Sequence, residues 1–395
     1  MTDTTSFDEL ERAIEELVEE HLGAAPFDLF DAYDQGELEG LHAMIGALAG
    51  TPGVATRYLS WIDRGAQVFH ELAAVGLGTL GEPGRAQVRL ALRASSPREP
   101  GRRRRLAELV MAVGASGEDV DVLADVLGPE LLELLAQWVP WGEDVDPHLD
   151  PVAGFVHRVG GRWAQRILEL YEPFAVALDA DLGAVTALGY ARASEGVARI
   201  LEALEGAERY GEQDSARLRT RAMWALYHLG DARGAEAVGR YFEVDTKAAS
   251  AALGRMGSVG VGVASELVGA WSDQPERRFA RSDAIRVFVR QDTAQTTAAL
   301  HALLGEHDPY TRHIAWYALA RRADPGILEH LVSVMRGSDP LDRDEAAEAL
   351  VEHDTQAALD ALREARAVAV DEDAVWVLED AISRHPRTHV QGAPR

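Results

Sequence analysis

The chain has 395 residues, no cysteine and a formal net charge of -26, with 65 acidic residues against 39 basic ones. Disulfides, thiolate metal sites and cysteine nucleophiles are thereby excluded. A surface this negative also disfavours nonspecific binding to phosphate backbones or anionic lipid.

Alanine and leucine dominate the hydrophobic fraction and alternating strand patterns are scarce, which predicts helix throughout. No apolar stretch approaches the ~18 residues needed to span a bilayer. The segment from Met1 to Glu20 is acidic and amphipathic, without the basic and apolar blocks of a secretory signal. A cytoplasmic location is expected. Lys247 is the only lysine, so arginine supplies every other basic side chain.

In chain order, Phe7, Leu10, Ile14, Leu17 and Val18 recur at helical spacing and predict a helix from Phe7 to about His21. Leu41 to Leu48 continues the pattern until Gly50-Thr51-Pro52-Gly53 stops it. Further helices are expected from Val54 to Leu80 and from Arg85 to Leu92. A loop at Ser95–Gly101 leads into Arg102, Arg103, Arg104 and Arg105, and a helix pair is expected from about Leu106 to Trp138. The segment 140–151 holds three prolines and four acidic residues, which cannot continue a helix and mark a linker.

Beyond Pro151 a three-residue signature recurs: an alanine, a small residue three places later, then a large apolar one. It reads Ala222-Ala225-Leu226, Ala249-Ala252-Leu253, Ala284-Val287-Phe288, Ala315-Ala318-Leu319, Ala346-Ala349-Leu350 and Ala374-Val377-Leu378. The leading alanines are 27, 35, 31, 31 and 28 residues apart. Ala184-Ala187-Leu188 adds an earlier copy. Such a period means one supersecondary unit stacked on copies of itself. A second amphipathic helix follows each signature helix, as at Ile327–Met335 and Ala358–Ala365. Asp308-Pro309, Asp324-Pro325 and Asp339-Pro340 supply an N-cap acceptor and a first-turn proline. Alanine lets helices of adjoining units approach closely, and the large neighbour fills the seam.

The segments Arg221–Gly230 and Arg312–Leu319 resemble the first helices of HEAT repeats, closest to the bacterial PBS-lyase type first described in phycobilisome lyases. That resemblance covers roughly residues 180 to 384 well and the first 150 loosely. It implies an all-α, HEAT-like α-solenoid of stacked antiparallel helix pairs with a divergent N-terminal helical region. The expected organisation is a helical region at 1–139, a linker at 140–151, a repeat array at 152–385 and a flexible tail at 386–395. The family includes scaffolds, lyase subunits, metal hydroxylases and DNA glycosylases, so the fold does not choose an activity.

A di-iron centre of the kind found in deoxyhypusine hydroxylase needs several His-Glu pairs at helix starts. Here Asp344 precedes Glu345, the equivalent positions hold His313-Ile314 and Arg221-Ala222, and the only His-Glu dipeptide is His70-Glu71. The spacing Asp144, Asp146, His148, Asp150 lacks the glycine and the terminal glutamate of a calcium loop, since Leu149 and Phe155 stand in those places. No metal, cofactor or catalytic residue is therefore assigned.

Arg98 and Arg102–Arg105 form a basic cluster suited to phosphate or an acidic partner, or to pairing with the chain's own carboxylates. Trp138 and Trp141 flank Pro140 and are candidates for an exposed contact, whereas Trp163, Trp224, Trp271, Trp316 and Trp376 are expected in the core or seams. The expected function is a non-enzymatic scaffold or adaptor holding a protein partner on a concave face. An enzyme or subunit of bilin-lyase or metal-hydroxylase type, or nucleic-acid binding through Arg102–Arg105, are the alternatives. Replacing Ala318 by phenylalanine should overpack a seam and cost about 1–3 kcal/mol, seen as a lower midpoint of urea unfolding.

Overall fold

A computed structural model describes residues 6–21, 37–64, 67–114, 116–138, 151–337 and 339–390. The described residues are helical, joined by turns and short 3-10 segments, with no strand among them. The chain divides into two compact units, Met1–Ala225 and Leu226–Arg395. Of the linker expected at 140–151, all but Pro151 lies outside the described residues.

The first unit contains α1 (Phe7–His21), α2 (Glu37–Leu48), α3 (Val54–Ser60), α4 (Gln67–Thr79) and α5 (Glu82–Ala94). It continues with α6 (Pro100–Val113), α7 (Gly117–Leu127), α8 (Glu130–Trp138), α9 (Pro151–Leu170), α10 (Leu178–Tyr190) and α11 (Val197–Gly206). The stretch expected as a helix pair up to Trp138 is thus three helices. Ser116 and Asp119 form a capping box that starts α7, and Gly128, at φ 55°, ends it in a conformation other side chains resist. Helices α8 and α10 touch so closely that a Cβ on Gly183 would sit 1.9 Å from the Leu132 carbonyl oxygen. Leu10, Ile14, Tyr58, Trp61 and Phe69 pack a core at the N-terminal end, where Glu11 accepts hydrogen bonds from Arg57, Arg64 and the Trp61 indole.

Helix α12 (Glu212–Leu229) runs across the division between the units. The second unit then reads α13 (Ala235–Arg240), α14 (Thr246–Arg255), α15 (Gly257–Ala270), α16 (Arg278–Val289), α17 (Ala294–Ala302) and α18 (Pro309–Arg321). It ends with α19 (Pro325–Met335), α20 (Pro340–Glu352), α21 (Gln356–Val368), α22 (Glu372–Arg384) and the short α23 (Pro386–Val390). Residues 386–390, expected as part of a flexible tail, are therefore helical, and Arg387 pairs with Asp354.

Packing in the second unit follows a rule. Each first helix touches the next first helix, giving the row α14, α16, α18, α20, α22. Each intervening helix packs between its own first helix and the following one. The signature residues of the second unit line these seams: Ala249, Ala252, Ala284, Val287, Ala315, Ala346 and Ala349 are fully buried, as are Leu253, Leu319 and Leu350. Only the last copy loosens, with Val377 half-buried. The expected aspartate caps form: Asp308, Asp324 and Asp339 accept from Thr311 N, Gly326 N and Asp342 N at 2.9, 2.9 and 3.1 Å.

Arginines stitch one repeat to the next. The Arg322 guanidinium donates to the carbonyls of Phe288 and Gln291 and to the hydroxyls of Thr296 and Thr297. Arg281 donates to the Val268 carbonyl at 3.0 Å and to Glu306 at 2.8 Å. Arg312 donates to the carbonyls of Glu306 and His307 and, through both oxygens, to Asp342. These carbonyls belong to helix ends or the turns after them, where the helix leaves them unpaired. A planar fork can serve several at once, which a lysine ammonium cannot match geometrically.

Arg322→Lys should therefore destabilise the protein by about 1–3 kcal/mol in urea unfolding, because partly buried carbonyls each lose a donor. A pH effect follows from His385, which is fully buried. Burial pushes its imidazole below the ordinary value of 6.5, so the folded state stays neutral while the unfolded chain takes up the proton. Stability should be full above that ordinary value and decline as pH falls through it toward the folded-state pKa. His330 is lowered for the same reason. In unfolding measured at successive pH values, His385→Asn should reduce the slope without abolishing it.

Candidate functional site

Positions that do not enter the seams are set by the same register that places the alanines. On α16, α18, α20 and α22, counting five residues before the leading alanine, one before it and two after it gives an outward stripe at spacings of four and three residues, whereas on α14 two of those places hold the buried Ala248 and Ala251. On α16 the stripe is Phe279, Asp283, Arg286. On α18 it is Tyr310, Ile314, Tyr317, extended one turn by Arg321, and on α20 it is Leu341, Glu345, Glu348, extended by Glu352. On α22 it is Asp373, Trp376, extended by Asp380. None of these side chains is buried, and Phe279, Leu341 and Trp376 are 74%, 56% and 70% exposed.

The stripes change character along the stack. Arg286 marks the α16 stripe, tyrosines mark α18, and carboxylates mark α20 and α22. Between the α16, α18 and α20 stripes lies an open groove of about 270 Å³, lined by Arg286, Tyr310, Tyr317, Arg321 and Glu345 among others. The Arg278 guanidinium sits 5.8 Å from the Phe279 ring and 5.6 Å from the Tyr310 ring, bridging two repeats through their aromatic faces. Tyr317 donates to Glu345 at 3.2 Å, and burial together with the Glu345 charge pushes its hydroxyl pKa well up. It is therefore a neutral donor at physiological pH.

Behind the groove, Asp342 accepts from Arg312 at 2.8 Å and lies 3.0 Å from the His313 imidazole. Burial opposes its charge, but the His313 and Arg312 hydrogen bonds outweigh burial and hold the carboxyl below its ordinary value. This ion pair fixes α18 against α20 and so positions both stripes. Among the described residues no group of three or more histidine, aspartate or glutamate side chains is placed to hold a metal ion. Asp344, at the position a ligand histidine would take, pairs with Arg343 at 3.4 Å, and His70 lies 3.1 Å from the Arg64 carbonyl.

The residues singled out from sequence lie elsewhere. Arg102 and Arg105 pair with Asp63 at 3.0 and 3.9 Å, Arg103 with Glu130 at 3.5 Å and Arg104 with Glu108 at 3.1 Å. The four consecutive arginines are thus engaged by carboxylates of their own unit, while Arg98 is exposed on the preceding loop. Trp138 closes α8, with its side chain outside the described residues, and Trp141 lies outside them altogether. Trp163, Trp224, Trp271 and Trp316 are buried as expected. Trp376 is not. It occupies the outward stripe, two residues beyond Ala374, so the expectation that it belongs to a seam is corrected by its 70% exposure. The register alone does not decide this: Trp376 aligns with Arg286, Tyr317 and Glu348, none of which is buried, but also with Trp224 and Ala251, which are.

Repeated helix pairs with small-residue seams define a class of helical-repeat protein. Residues 278–351 and 296–383 match the family model for HEAT repeats, so the chain carries HEAT repeats in this part of its second unit. No curated protein matches it at a significant level. Among solved structures, human deoxyhypusine hydroxylase in complex with glycerol is similar at 17% identity, with 67% of this chain and 99% of that one covered and a TM-score of 0.27. A chain of the Pds5-Scc1 complex is similar at 12% identity, covering 99% of this chain and 62% of that one with a TM-score of 0.31. Scores this low carry no argument about function. No helix among the described residues is long and apolar enough to cross a membrane.

Proposed function

We propose that the protein is a non-enzymatic cytoplasmic scaffold that holds a protein partner against the first-helix face of its second unit. One observation carries this: the outward stripes of four consecutive first helices place Arg286, Tyr310, Tyr317 and Trp376 on one face without burying them. Tyrosine, tryptophan and arginine are the residue types that dominate protein–protein binding energy. The groove between the stripes offers a neutral hydroxyl, two arginines and a carboxylate within one recess, which suits a polypeptide with its mixed donors and acceptors. The HEAT repeats support the proposal at the level of architecture, since such arrays commonly present extended binding surfaces.

A photo-cross-linking amino acid placed at Tyr317 tests it in cells of the source organism. Defined protein adducts should form from that position and be absent when the same group is placed at Glu329, which is exposed on the second helix α19. Adducts from Glu329 alone, or turnover of a small molecule abolished by changes in the groove, would overturn it.

A further inference from the structure

Helix α22 closes the row of first helices, and its outward face has an apolar centre in an acidic frame. Trp376 is 70% exposed, and Val368 and Val370, at the end of α21 and in the turn before α22, are 76% and 96% exposed. All three lie on α22 or in the segment leading into it, and exposed apolar groups gathered in one short stretch mark an interaction surface more than scattered exposure does. Four carboxylates stand one helical turn from the indole: Glu372 and Asp373 before it, Glu379 and Asp380 after it.

Their partners within the chain divide them. Glu379 pairs with Arg366 and Asp380 with Arg384, and Arg384 also reaches Glu348 on α20. Glu372 and Asp373 have no ion pair among the described residues, although arginines elsewhere in this unit are engaged by carboxylates. The neighbouring stripe adds Glu345, with Tyr317 as its hydrogen-bond donor. An exposed indole carries a negative π face, and two uncompensated carboxylates beside it strengthen the local potential.

Resting on the scaffold function above, we infer that this end of the face docks a basic segment of the partner. An arginine or lysine of that segment stacks on Trp376, with Glu372 and Asp373 neutralising its charge. Val368 and Val370 cover the aliphatic part of the same or a neighbouring side chain, as long basic side chains prefer. Charge complementarity selects this occupant over an acidic peptide, which would meet like charge, and over a second copy of the chain, which would place two such acidic faces together.

The test measures fluorescence anisotropy of a short labelled peptide of arginine and glycine on the full chain, at physiological ionic strength. A glutamate-glycine peptide serves for comparison. Wild-type protein should bind the arginine peptide and not the glutamate one. Trp376→Ala, which removes no charge, should weaken binding about 3- to 10-fold, and Trp376→Phe should recover part of the loss. Asp360→Asn combined with Glu364→Gln, which neutralises two carboxylates on α21, should change binding less than Trp376→Ala does.

Absence of binding by the wild type, or equal losses in Trp376→Ala and the α21 control, would overturn the inference. So would concentration-dependent self-association abolished by Trp376→Ala, since a second copy would then cover the face. Because Trp376 is exposed, the circular dichroism of its variants should match wild type. Cross-linking from Tyr317 is read separately: adducts from Tyr317 in a wild-type protein that does not bind the arginine peptide sink the basic-segment inference alone.

Discussion

Close approach between first helices is the constraint on which the second unit depends. A helix pair of this length has more apolar surface than its own partner covers, so each pair is stable only when the next one lies against it. The alanines at the seams decide how near the next pair can come, and the adjoining leucine or phenylalanine fills what remains. In interiors packed as densely as crystals, an added methylene at such a point must displace backbone. The tolerance is one-sided: the seam fixes where Ala315, Ala318 and Leu319 point, and thereby leaves Tyr310, Ile314 and Tyr317 to face outward.

Polar contacts make the stacking specific. Arg281 and Arg322 occupy helix-end carbonyls of a neighbouring element and Arg312 joins the turn before its helix to Asp342 of the next repeat, so a repeat shifted along its neighbour would leave these groups unsatisfied. The same logic runs in the first unit, where Arg89 is almost fully buried and donates to the equally buried Asp119 at 2.7 Å. There the arginine run is paired with carboxylates of its own unit, although Arg102, Arg104 and Arg105 keep 37%, 40% and 35% of their side chains exposed.

The repeat period, helix starts and seam residues were legible because each is a local property: spacing, a capping side chain, a small residue at a fixed place. Asp308, Asp324 and Asp339 illustrate this, since the cap and the proline lie within two adjacent residues. The outward stripes are only partly available from the register, since the same places hold buried Trp224 on α12 and buried Ala251 on α14, and composition draws notice instead to Arg102–Arg105 and to tryptophans as a type. Pairing of Arg102 with Asp63 across 39 positions has no local trace. Nor does the extra break at Gly128, because a glycine before a proline fits a bend within a pair as well as a boundary between helices. The exposure of Trp376 has no local signal either, since Trp224 stands at the same place, two residues past Ala222, and is buried.

The near-exclusive use of guanidinium over ammonium in these contacts has a consequence in alkaline solution. A lysine network begins to discharge near its ordinary pKa of about 10.4, whereas arginine keeps its proton to beyond about 12. Burial draws the Arg322 guanidinium below the ordinary arginine value, so that clamp gives up part of this margin in exchange for the carbonyls and hydroxyls it serves.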